Sequence, residues 1–144
     1  MDQIKIENFA REHPGVAFPT FRTLSAQETE RIRGLLAVKL NLPSHIPSLD
    51  LVCNLSEKAV TLPKVSAEER FNLSSLLKDL GIEARDKVLI NWYRFDDVDE
   101  ISLSDLSLYF DDVWYPAADA IEVFDETLKW IVSIDYSGHI GILK

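Results

Sequence analysis

Between Phe95 and Leu128 the chain has no Lys or Arg, although the same stretch holds eleven carboxylates. Other absences bound the possibilities as firmly. One cysteine, Cys53, excludes an internal disulfide and fits a reducing compartment. The five glycines, at 15, 34, 81, 138 and 141, are too dispersed for a phosphate-binding loop. No apolar run approaches the roughly 18 to 20 residues needed to span a bilayer. The start, Met1-Asp2-Gln3-Ile4-Lys5, lacks a basic region followed by a hydrophobic stretch, so the expected address is the cytoplasm, with no membrane partner.

Charge is distributed unevenly. Residues 1–95 hold 12 acids and 13 bases, a net of +1, whereas residues 96–144 hold 12 acids and 2 bases, a net of −10. Such a field repels nucleic acid and speeds encounter with a basic protein. All three Trp and all four Tyr fall in the same region, between residues 92 and 136. A disordered acidic tail lacks this apolar content, so a folded acidic surface is expected.

With 144 residues, 47% of them apolar, one domain is expected. Ser25-Ala26-Gln27-Glu28 reads as a capping box, and Ile32, Leu35, Leu36 and Leu40 follow at helical spacing until Pro43. A second box, Ser66-Ala67-Glu68-Glu69, precedes Phe71, Leu73, Leu76, Leu77 and Leu80, with Gly81 placed to end the helix. Residues 1–12 stop before Pro14-Gly15, and Ile4, Ile6 and Phe9 keep no single period, which leaves helix and strand both open. Residues 42–63 read mainly as loop, with a short strand at Leu49-Asp50-Leu51-Val52-Cys53.

From Lys87 the composition turns to strands. Residues 88–95, 120–124 and 128–134 are rich in β-branched and aromatic side chains, and Ser137-Gly138 turns the chain into a last strand at 139–143. Leu103, Leu106, Phe110 and Val113 after Ser102 predict a short helix ending before Pro116, although Leu106, Leu108 and Phe110 also alternate. The pattern is α+β: a mainly helical half at 1–86, then an acidic strand half at 87–144 ending in a three-strand antiparallel meander.

Catalytic and metal motifs are not evident. His13, His45 and His139 lie far apart, and Cys53 has no nearby partner, so neither zinc nor any other cofactor is expected. Counted from Asp97, the sixth and twelfth places of a calcium loop hold Ser102 and Leu108 rather than Gly and Glu. Cys53, among Leu51, Val52 and Leu55, reads as a small buried hydrophobe. Asp135 and His139 read as a hydrogen-bonded pair across a turn. Trp92, Phe124 and Trp130 read as core, and the expectation is a binding protein rather than an enzyme.

The segment Asp111-Asp112-Val113-Trp114-Tyr115-Pro116-Ala117-Ala118-Asp119, continuing through Val123-Phe124-Asp125 and Trp130-Ile131-Val132-Ser133-Ile134, resembles the carboxy-terminal end of small bacterial immunity proteins of polymorphic or contact-dependent toxin systems. The resemblance implies a cytoplasmic inhibitor that blocks one cognate toxin domain, often a basic nuclease. The partner-binding residues expected on this reading are Asp96, Asp97, Asp99, Glu100, Asp111, Asp112, Asp119, Glu122, Asp125 and Glu126, with Trp114 and Tyr115 as exposed anchors. Two rivals stand beside it: an acidic secretion chaperone or adaptor, and a small enzyme with a carboxylate-rich site.

Overall fold

The side chain of Asp2 accepts a hydrogen bond from the Ile4 amide and so starts α1, Gln3–Glu12. This is the first element of a computed structural model that describes residues 1–68 and 70–144. The capping box at Ser25 forms as its spacing predicts, opening α2, Ala26–Lys39. The third helix of the near-neutral part of the chain is α3, Ser48–Lys58. It replaces the strand expected at 49–53. Five alternating residues mimic a strand there, but Leu51 and Leu55, one helical turn apart, are the ones that reach the core.

The helix expected near residue 71 is present as α4, Leu73–Asp79, with Gly81 at φ 68° just beyond its end. Its cap is Asn72, whose side chain accepts from the Ser75 amide. Ser66 instead ends a strand. Glu69, the last residue of the expected box, lies outside the described residues.

Seven described strands form one antiparallel sheet. In chain order they are β1 Phe21–Thr23, β2 Val60–Ser66, β3 Lys87–Asn91, β4 Val98–Ser102, β5 Ile121–Phe124, β6 Ile131–Ile134 and β7 His139–Leu143. Across the sheet the order is β1-β4-β3-β5-β6-β7-β2. The expected meander is β5-β6-β7, and the architecture is α+β. Three strands were not legible. β1 is only three residues long. β2 carries Pro63, tolerated because β2 is an edge strand whose register shifts between Thr61 and Ser66. β4 contains Asp99 and Glu100, residue types that strands disfavour. Both edge strands come from the half read as mainly helical.

The expected helix after Ser102 is present in two pieces, α5 Leu103–Leu108 and α6 Phe110–Val113, and Ser102 caps the first. One core lies between α4, α5, α6 and one sheet face, built on Val88, Ile90, Ile121, Val123, Val132 and Ile140. A second lies between α2, α3 and the other face, built on Leu89, Phe124 and Ile131. Because both faces are covered, β3 and β5 are buried along nearly their whole length. Trp130 and Phe124 are core as expected, and Trp92 packs at its margin. Among the described residues no helix is long and apolar enough to cross a membrane.

Candidate interaction surface

The expected free acidic surface is largely covered from within. Asp99 is fully buried, accepting hydrogen bonds from Trp92 Nε1 at 2.8 Å and Thr23 Oγ1 at 2.5 Å, and it pairs with the Met1 amino group. Asp119 pairs with Lys5 and accepts from the Tyr115 amide at 2.8 Å. Asp112 holds His13 Nε2 at 3.0 Å. Glu100 lies 3.0 Å from Lys87 Nζ and 3.6 Å from Arg22. The cations that the acidic third lacks come from the rest of the chain, the buried ones, Met1 and Lys5, from α1 and its start.

Two expected contact residues are structural carboxylates. Asp125 is buried at the β5–β6 turn, accepting from the Thr127 hydroxyl, the Arg85 amide at 3.0 Å, Trp130 Nε1 at 3.0 Å and the Thr127 amide at 2.9 Å. Burial acts to raise its pKa, but these donors outweigh that and hold it below the usual carboxylate range. Glu122 has the opposite balance. Burial pushes it up to about 7, and the single hydrogen bond from Asn91 Nδ2, 2.6 Å long, does not restore it.

Trp114 is not an exposed anchor. It is 2% exposed, stacks on Phe110 and donates its Nε1–H to the Asp119 carbonyl at 3.1 Å, the usual way a buried indole satisfies its polar atom. Tyr115 is half-buried, with its hydroxyl 3.3 Å from Asn8 Nδ2 and its ring under Lys5. The acids also do not form one contiguous patch. Asp96 and Asp97 sit at the β3–β4 turn, whereas Glu126 sits at the β5–β6 turn at the opposite end of the sheet, 4.0 Å from Arg85. Asp111 is exposed on α6.

A smaller surface remains at the first of those ends. Residues 92–97 form a tight turn in which Tyr93 has φ 79° and Phe95 φ 53°, a left-handed conformation that costs bulky residues energy. The turn is held because the Asn91 side chain accepts from the Phe95 amide at 2.6 Å and the Phe95 ring is buried 6.1 Å from that of Phe124. Fixed this way, the half-buried Tyr93 meets the exposed Tyr136 of the β6–β7 turn, ring centres 6.3 Å apart. The Tyr136 carbonyl accepts from the Ala117 amide at 2.7 Å, tying in the loop before β5.

Asp96 and Asp97 of the same turn and Asp135, next to Tyr136 in the chain, are all exposed, and the Arg94 guanidinium lies 5.3 Å from the centre of the Tyr93 ring. Partial burial raises the pKa of Asp97; Asp99 and Asp96 add to that rise and the Met1 amine opposes it. Asp135 is already partly desolvated, but amides of Ser137 and His139 and the His139 ring donate to it and hold its pKa below the usual range. Of the expected contact residues, only Asp96 and Asp97 belong to this surface. Tyr93, Tyr136 and Asp135 were not among them. The one sequence signal for Tyr136 is a large aromatic at the tip of an Asp-Tyr-Ser-Gly turn.

The catalytic alternatives gain little from the geometry. Cys53 is exposed rather than core, because α3 turns it to the outer side of the helix. Ser133, Asp135 and His139 line one small groove beside the end of α3, but His139 Nδ1 is committed to Asp135 at 3.0 Å, and no hydrogen bond joins Ser133 to His139 among the described residues. No protein-family model, curated protein or solved structure matches this chain.

Proposed function

We propose that this protein is a binding protein of the immunity type, which captures a basic protein, most concretely a toxin domain, and blocks its working surface. The observation that carries the reading is the Tyr93–Tyr136 pair, presented on two turns of one sheet end and flanked by Asp96, Asp97 and Asp135. Rigid tyrosines supply contact area at low entropic cost, and flanking carboxylates steer a Lys- or Arg-rich surface onto them. Strain at Tyr93 is consistent with a residue held for contact rather than for stability. The formal charge of −9 disfavours nucleic acid as the direct partner.

Quantitative comparison of two baits tests this. Wild-type protein should enrich a basic protein from the native host, and the same chain carrying Tyr93→Ala and Tyr136→Ala should lose it. Equal enrichment by both baits removes this surface from the mechanism.

The rival reading, a secretion chaperone or adaptor, draws on a different observation. Leu35 and Val38, three residues apart on α2, are 43% and 64% exposed, and Leu49 on α3 is 50% exposed. On that reading an effector segment is captured by wild type and by the tyrosine variant alike, and is lost on Val38→Asp.

A further inference from the structure

The last residue of α1 is Glu12, and His13 closes the helix with its amide bonded to the Phe9 carbonyl. The imidazole of His13 is wedged between aromatic rings, 4.4 Å from the centre of Phe9 and 5.7 Å from that of Tyr109. Packing therefore sets its orientation, and Nε2 faces Asp112, 3.0 and 3.1 Å from the two carboxylate oxygens. One donor atom each from Glu12, His13 and Asp112 lie within 4.8 Å of one another.

We propose that Glu12, His13 and Asp112 bind a divalent first-row transition cation, which fastens the end of α1 to α6. Donor atoms on a cation at about 2.0 to 2.2 Å are themselves roughly 3 Å apart, the spacing already set between His13 and Asp112. Imidazole nitrogen with two carboxylates suits zinc and its neighbours. Calcium and magnesium are better served by oxygen alone. The charge balance points the same way. Two carboxylates meet at the carboxy-terminal end of a ten-residue helix, where the backbone dipole adds further negative potential.

A His13–Asp112 contact alone accounts for the short distance, but among the described residues no Lys or Arg pairs with Glu12. The adjacent base, Arg11, bonds to Asn8 instead. Glu12 is exposed, and the His13 side chain is 34% exposed, so water can enter and complete the coordination. Sequence spacing conceals the set because Asp112 is 99 residues from His13.

The test is calorimetric titration of zinc chloride into the tag-free, chelator-treated full chain. The expected result is one ion per chain with Kd tighter than about 100 µM. His13→Gln and Asp112→Asn should each weaken binding at least about tenfold. Glu12→Gln, an exposed change that leaves the packing intact, should weaken it as well, while His139→Gln should leave it unchanged. Magnesium at the same concentration should not compete. Absence of saturable binding, or binding lost with His139→Gln and kept by both His13→Gln and Glu12→Gln, overturns the proposal.

Discussion

The ammonium of Lys5 lies 4.0 Å from the centre of the Tyr115 ring, and its other aromatic neighbour is Trp92 at 5.2 Å. A cation held between two rings and paired with Asp119 is 3% exposed. The excess negative charge of the last third of the chain is thus partly a bookkeeping effect of sequence order. Folding brings α1 onto it.

Removing one partner of that buried pair should be costly, because the other charge is left without compensation. Lys5→Ala should lower the unfolding free energy by about 3 kcal/mol. Combining it with Asp119→Asn should cost less than the sum of the two single changes. Urea denaturation of the four proteins measures the coupling.

Trp114→Ala should act on stability, not on partner dissociation. Deleting a buried indole removes apolar contact and opens a cavity, at about 3 to 5 kcal/mol. Thermal and urea unfolding should both register the loss. A Trp114→Ala protein of wild-type stability contradicts the packing described.

Glu122 gives the protein a defined pH response. Its folded pKa, about 7, exceeds the ordinary 4.5, so the folded state binds the extra proton between those values. Its effect is therefore absent below about pH 4.5, where both states are protonated, and appears as stability lost while pH rises to about 7. Converted by the free energy of one pKa unit, that loss is roughly 3 kcal/mol. Glu122→Gln keeps an acceptor for Asn91 and should abolish the loss. Denaturant midpoints at pH 5 and pH 8, for both proteins, check the sign.

Strain at Tyr93 predicts a trade-off. Glycine adopts φ 79° freely, so Tyr93→Gly should stabilise the fold by about 1 kcal/mol while removing one ring of the Tyr93–Tyr136 pair. Higher melting temperature with weaker partner binding is the expected combination.

The legible parts of the structure were those carried by local chemistry. The capping box at Ser25, the stop at Gly81 and the closing meander depend on neighbours a few residues apart, and each forms. The illegible parts depend on distant partners. β4 contains Asp99, a residue tolerated in a buried strand because Trp92, Thr23 and Met1 converge on it, and the last two come from the far end of the chain. The candidate surface was obscured for the same reason. Trp114 and Asp119 look like surface residues in sequence until α1 and the Trp114 hydrogen bond to Asp119 are in view. Tyr93 and Tyr136, 43 positions apart, become neighbours only when β3 and the β6–β7 turn share a sheet end.

The central claim, that this sheet end captures a basic protein, is tested most directly by association kinetics with the captured partner across a salt series. Asn at position 135 keeps an Oδ1 acceptor for the Ser137 and His139 amides, and Asn at 96, 97 and 135 together removes three charges. The triple variant Asp96→Asn, Asp97→Asn, Asp135→Asn should associate more slowly and with a flatter dependence on ionic strength than wild type, with little change in dissociation. Identical association rates and identical salt dependence for the two proteins would contradict the account.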